Sequence, residues 1–414
     1  MKIRFLIPCI LVCMSFGSFG QGKPDKNFER FAMKEDSLFR LDYRKRNVKD
    51  YQKQLSRFLT RYNKLPDSTQ KYYSGNLVSG YYNLSCTYSI LNDKQPALEY
   101  LKKAIQAGWY DYDHICQDKD LDNIRNEQEF QSMVTPLRFV SDYMFILKKA
   151  EKYNPSDNRS LPKWTYQSAD NPNLVALRKA FNLDSIAGQG SDVFRMINLM
   201  QWVHYLVPHD GEKGNPVVEN AMSMIKECHR DHKTLNCRGL ALVLNECYLA
   251  MGYKSRIVTC LPKDSLKMDQ DCHVIDIVYS DSLKKWLWMD PTFDGYVMKE
   301  NGDPLGIEEV RERIIHDKPL IINPDMNWNR QVSETKQYYL YHYMAKNLYM
   351  LECPVNSEYN METRAPGKTV EYIKLIPLDY FEQSIPMTSS TSRDTKFTIQ
   401  TYMTNNDALF WKAP

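Results

Sequence analysis

Cys237 opens a segment in which Leu240, Val243, Leu244, Cys247, Tyr248 and Met251 recur at the spacing of one buried helix face, and Gly252 stops the pattern. With Asn236 or Thr234 as the N-cap, the thiol stands at the positive end of the helix dipole, beside backbone N–H groups that have no partner inside the helix. That setting favours a thiolate and can also hold an oxyanion, the two needs of a cysteine nucleophile. A cysteine on a helix with no polar partner is more simply a small buried hydrophobe. The chemistry therefore requires a base and a group to orient it.

Strand patterns at 256–261, 273–279 and 284–290 supply both. If 280–283 is a four-residue loop, Tyr279 faces Lys284, and the same register sets His273 opposite Asp290. Opposed residues share a face with Cβ atoms about 5 Å apart, close enough for a carboxylate to hold an imidazole in one tautomer. A loop one residue longer or shorter breaks this arrangement.

A helix-start cysteine, then a strand histidine, then a strand aspartate is also an order met in a known family. The motifs are Asn236-Cys237-Arg238-Gly239-Leu240-Ala241, Gly252-Tyr253-Lys254-Ser255-Arg256, Cys272-His273-Val274 and Trp288-Met289-Asp290-Pro291-Thr292. From about residue 192 to 294 the sequence resembles the transglutaminase-like family of papain-fold cysteine enzymes. The resemblance implies Cys237 as nucleophile, His273 as base and Asp290 as orienter, on an α+β core in which a central helix packs on an antiparallel sheet. It implies no cofactor. Ile275 stands where many relatives carry Trp, and Leu235 where they carry Gly, which bears on the substrate walls more than on proton transfer. Trp202 lies upstream, where some relatives use a tryptophan for the oxyanion. Among Leu199, Met200, Val203 and Leu206 it reads first as a core residue, so Trp202 and Asn236 are the secondary oxyanion or cleft candidates.

Other clusters are weaker. Cys228, His229, His232 and Cys237 do not follow a familiar zinc-ligand order and would consume the nucleophile, so no metal is expected. His204 reads as a helix-face residue and His209 as a loop residue. The tyrosines from Tyr338 to Tyr349 could stack on sugars, but a half-buried helix explains them.

The elements that must position the triad occupy only part of the chain. Its 414 residues suggest two or three domains, and a composition 43% hydrophobic and 25% charged is that of a folded protein without multiple membrane spans. Lys2 and Arg4 before an apolar run, closed by Ser18-Phe19-Gly20, predict a signal peptide over 1–20 and an exported, periplasmic or secreted protein. Cys13 as a lipoprotein anchor is the alternative. The remaining charge is nearly balanced, so nothing points to nucleic acid. Export permits disulfides, and Cys260 with Cys272 is the best pair, Cys237 having to stay free.

Helical patterns at 28–40, 48–62, 71–91 and 96–107 predict a helical region over 21–153. Tyr81, Leu84, Tyr88, Ala97, Leu101 and Ala104, with small Ser85 and Asn92, resemble one tetratricopeptide hairpin. One copy reads as a prop packed on its neighbours rather than a peptide-binding groove. The Pro- and Asn-rich stretch 154–173 is the expected boundary, followed by the catalytic core over 174–335. Residues 336–414 are expected to pack on that core, with a helix at 337–352 and a hairpin of strands 369–376 and 395–402 joined by a polar loop.

The expected function is that of a cysteine peptidase, amidase or acyltransferase acting on a peptide, a protein or an envelope glycopeptide. The alternative is a non-catalytic peptide- or glycan-binding module that uses the same cleft and the helical hairpin.

Overall fold

The computed structural model describes residues 25–264 and 271–414. The expected signal peptide, Cys13 and positions 265–270 lie outside the described residues. The fold is α+β, and the described residues divide into two compact units, one ending at Asp142 and the other spanning Tyr143–Pro414.

In the first unit, helices α1 (Lys26–Lys45), α2 (Val48–Tyr62), α3 (Asp67–Tyr72), α4 (Ser74–Ile90) and α5 (Lys94–Gln106) enclose a core that includes Phe39, Tyr51, Phe58, Leu84 and Leu101. The helix expected over 71–91 is broken at Tyr73, whose ring is buried against Phe28 and whose hydroxyl donates to the Asp25 carbonyl. Helices α4 and α5 form a hairpin. Asn92 turns it in the left-handed region at φ 59°, and the Ser85 hydroxyl donates across the seam to Ala97 O at 2.7 Å. Beyond α5, Asp118 accepts from the Tyr82 hydroxyl on α4 and thereby ties the following segment to the hairpin.

The second unit is built on a seven-stranded sheet. Its strands are β1 (Ser255–Leu261), β2 (His273–Ser280), β3 (Lys285–Met289), β4 (Met350–Pro354), β5 (Thr369–Leu375), β6 (Met387–Thr391) and β7 (Thr398–Thr404), in the spatial order β6-β7-β5-β4-β1-β2-β3. One face, through Ile257, Val274, Val278 and Leu287, meets helices α6 (Asp192–Leu206), α7 (Ala221–Asp231) and α8 (Cys237–Ala250). The other face, through Val258, Ile275, Ile277 and Trp288, meets the segment around 305–348. Burial on both faces explains why these strands are almost continuously apolar.

Several expectations are corrected. The sheet is mixed rather than antiparallel, because β5 and β7 run parallel. The stretch between them is not a plain loop: Met387–Thr391 forms β6, antiparallel to β7, and this extra strand reverses the chain once more. The aromatic helix is shorter than expected. It runs from Lys336 to Asn347 with π-type turns over Tyr339–Met344, and the chain then becomes β4, paired on both sides. Strands β4 to β7, all after residue 336, complete the sheet that carries β1 to β3.

The segment 154–173 does not hang as a linker. Asn154 N donates to Asn405 O at 2.8 Å, the Asp157 carboxylate accepts from Asn405 N and the Thr404 hydroxyl, and Trp164 stacks on the guanidinium of Arg256. Arg256, the arginine of the Gly-x-x-x-Arg motif, is fully buried. It binds the carbonyls of Phe410 and Lys412, holding the C-terminal segment to the sheet.

Candidate active site

Helix α8 begins where its sequence says it should. The Asn236 side chain accepts from Gly239 N at 3.0 Å, which uses the carboxamide as a cap. Asn236 N donates to Asn215 Oδ1 at 3.1 Å, which ties the start of the helix to the loop that carries Asn215. The Cys237 N–H, at the first helical position, has no acceptor among the described residues. Arg238 fixes the helix start to β1 and the 360s segment, donating to Thr259 Oγ1 at 2.7 Å and to Glu362 at 2.6 Å.

The Cys237 thiol is half-buried and lies beside two imidazoles, those of His209 and His273, which act on its titration. Burial by itself pushes the thiol's pKa up. The nearby imidazoles of His209 and His273, and the charge they can carry, outweigh that and bring it from 9.0 down to about 6.

His273, at the start of β2, is 1% exposed, with Phe293 and Tyr343 packed against its ring at 5.5 and 5.2 Å between centroids. Its Nε2 lies 2.7 Å from Asp290 Oδ2. Nδ1 has no hydrogen-bond partner among the described residues, and it is the ring nitrogen that Asp290 leaves open. Burial works against an imidazolium here, but the Asp290 carboxylate and the thiolate overcome it and raise the pKa to about 10.

The relation between His273 and Asp290 differs from the expected register. The loop between β2 and β3 does have four residues, but it is 281–284, so Ser280 faces Lys285 and the ladder is shifted by two positions. His273 and Asp290 are therefore diagonal rather than opposed. A shift of two keeps both on the same sheet face, and their side chains still meet. Asp290 has left the ladder with β2 and exchanges both backbone hydrogen bonds with Gly295 instead.

The Asp290 carboxylate is completely buried and fully engaged. Oδ1 accepts from Thr292 N and Phe293 N at 2.9 and 3.3 Å, and Oδ2 accepts from His273 and from the Tyr339 hydroxyl at 2.6 Å. Tyr339 in turn accepts from Trp288 Nε1 at 3.2 Å. Buried on this scale, the carboxylate holds its position through four hydrogen bonds, and it can hold His273 with Nε2 protonated.

Trp202 is half-buried on α6 and packs on Phe181 with ring centroids 5.5 Å apart. His209 and Tyr339 are the polar groups that sequence patterns missed. His209 lies in a turn-rich loop, and its ring partner Trp328 is far along the chain, so no local periodicity marks it. His204, by contrast, is structural: it is buried, with Nδ1 3.1 Å from Pro291 O, and braces the turn after Asp290. All eight described cysteines are free. The expected Cys260–Cys272 bridge is absent because Cys260 pairs with His273 in the ladder, which turns the adjacent Cys272 to the other face.

No protein-family model matches the chain. It is similar to a curated chloroplast protein of Arabidopsis thaliana, at 36% identity over 69 residues, which is 17% of this chain and 19% of that protein. It also has a likeness to the crystal structure of a Cytophaga hutchinsonii protein proposed to be a cysteine protease, at 14% identity and a TM-score of 0.24, covering 36% of this chain and 48% of the other. The chain thus spans about a fifth of the curated relative and about half of the solved one.

Proposed function

We propose that this chain is an exported cysteine enzyme that cleaves or transfers an acyl group from an amide or similar bond, with Cys237 as nucleophile, His273 as base and Asp290 as orienter. The observation that carries the proposal is the thiol itself. It stands at a helix N-terminus, beside an imidazole that a buried carboxylate holds, and its pKa is lowered despite burial.

In this mechanism the Cys237 proton resides on His273 Nδ1, and the resulting imidazolium is stabilised by Asp290. The thiolate attacks the carbonyl carbon, and the leaving amine or alcohol takes the proton from His273. Water or an amine then attacks the thioester with His273 as base, and collapse of that adduct frees the thiol. The transglutaminase-like motifs support a peptide, protein or envelope glycopeptide as substrate.

The test is an untargeted mass-spectrometric comparison of peptide and muropeptide mixtures incubated with wild type and with Cys237→Ala. Products that appear only with wild type support the proposal. Identical mixtures, together with retained binding of the same peptides by both proteins, would favour a non-catalytic binding module.

A further inference from the structure

The two imidazoles at the thiol differ in what holds their far nitrogens. His273 Nε2 faces the Asp290 carboxylate, which can only accept, so in the neutral ring Nε2 carries the hydrogen and Nδ1 keeps the lone pair that takes a proton. His209 is held the opposite way. Trp328 Nε1, which can only donate, gives its hydrogen to His209 Nδ1 at 3.0 Å. The neutral His209 ring must therefore carry its hydrogen on Nε2, which leaves it a donor with no lone pair to offer as a base.

The position of His209 is built as firmly as its tautomer. Asn329 clamps its backbone from both sides, accepting from His209 N at 2.8 Å and donating to His209 O at 2.8 Å. A parallel bridge joins His209 to Leu235, two residues before the nucleophile, through Asp210 N to Leu235 O and Leu235 N to Pro208 O. Asn215, further along the same loop, takes the Asn236 N–H. The loop is thus sewn to the start of α8, with its histidine beside the sulfur.

We infer that His209 is a further catalytic residue, a fixed Nε2–H donor that holds the oxyanion formed when the Cys237 sulfur attacks a carbonyl, with Trp328 as the positioning residue that locks its tautomer. The inference rests on the proposed acyl chemistry of Cys237. In the attack the C–S bond forms, and the C=O π pair moves onto oxygen. That oxygen accepts from His209 Nε2–H and from the open Cys237 N–H. Collapse restores the C=O bond as the leaving group departs with the proton from His273. No proton leaves His209 at any step. Of the candidates read from sequence, Trp202 packs on Phe181, and Asn236 gives its side-chain oxygen to Gly239 N and its backbone N–H to Asn215.

The test separates acylation from alkylation, because attack on an activated ester creates an oxyanion and displacement of iodide from iodoacetamide does not. Acylation by p-nitrophenyl acetate and alkylation by iodoacetamide are measured on wild type, His209→Ala, His209→Gln, Trp328→Phe and His273→Ala, each checked for folding by circular dichroism. His209→Ala should slow acylation roughly 100-fold or more while alkylation changes less than about tenfold. The carboxamide N–H of His209→Gln should recover part of the acylation rate and keeps the question answerable if the alanine variant does not fold. His273→Ala should slow both reactions. Nitrogen-15 NMR of the His209 ring should show the Nε2–H tautomer in wild type and a tautomer mixture in Trp328→Phe, a change that a purely structural role would not produce. Equal losses of acylation and alkylation in the His209 variants, or no loss in either, would overturn the inference with the function of Cys237 intact. Failure of wild-type Cys237 to be acylated would remove the proposed function and this inference together.

Discussion

Replacing Asp290 with Asn tests how the proposed base is held, because a buried carboxamide cannot satisfy all four of the carboxylate's present partners. If the Asn oxygen keeps the Thr292 and Phe293 N–H groups, its NH2 faces His273 and Tyr339. The flipped carboxamide instead leaves two buried backbone donors unpaired, at about 1–3 kcal/mol each, so the first orientation wins. The NH2 then requires a lone pair on His273 Nε2, which drives the hydrogen to Nδ1, the nitrogen meant to receive the thiol proton. The charge that most favours the His273 imidazolium is lost as well. With its pKa at about 6 the thiol is roughly nine-tenths ionised at pH 7, whereas at the ordinary 9.0 about one molecule in a hundred carries thiolate. Because the His209 ring still lies beside the sulfur, iodoacetamide alkylation at pH 7 should fall by between about 10-fold and 100-fold, with the rising limb of its pH profile moved upward from about 6. A folded Asp290→Asn protein that alkylates at the wild-type rate, with that limb unmoved, would refute this account of the triad.

Further outcomes follow from neighbouring contacts. Tyr339→Phe removes one hydrogen bond to Asp290 and leaves the buried Trp288 N–H without its acceptor, so urea denaturation should show a loss of about 1–3 kcal/mol. Gly239→Ala would place a Cβ 2.4 Å from Asn215 Oδ1, expelling the side chain that accepts from Asn236 N; slower acylation of Cys237 should accompany a lower denaturation midpoint. Asp294 is buried with both carboxylate oxygens unpartnered, and burial first, then Asp325 and Asp290, raise its pKa from 3.8 to about 7. The folded state therefore keeps a proton that the unfolded chain releases, so this residue's contribution falls as pH rises from about 4 to about 7 and is most unfavourable above that. Asp294→Asn, tolerated at φ 52°, should raise the Tm at pH 8 and leave it little changed at pH 4.

The central helix was legible because three signals coincide at one place: an N-cap in Asn236, an apolar stripe from Leu240 to Met251, and a stop at Gly252, which adopts φ 86°. The β2–β3 register was not. Its loop closes through Lys284 at φ 55°, a residue that gives no warning of a left-handed turn, and through Ser280 and Ser282 hydroxyls held by Asp192, distant in sequence. The two-residue slip did no harm to the face, since the period of a strand is two. The parallel pairing of β5 and β7 was hidden because β6 is polar and exposed, and so carries no apolar alternation. His209 was illegible for a different reason: a loop histidine acquires its meaning from Asn329 and Trp328, which only the tertiary fold brings to it.

The central claim is that Cys237 is an activated thiolate, and alkylation without reductant tests it most directly. Burial, the first cause in each case, raises the thiol pKa of the other seven described cysteines, to about 11 for Cys272 and about 12 for Cys353, whereas that of Cys237 is lowered. Limiting iodoacetamide at pH 7, followed by peptide mapping, should label Cys237 ahead of every other cysteine in wild type and lose that preference in His273→Ala. Labelling spread over the other cysteines with Cys237 unmodified, or selective Cys237 labelling that survives in His273→Ala, would contradict the account.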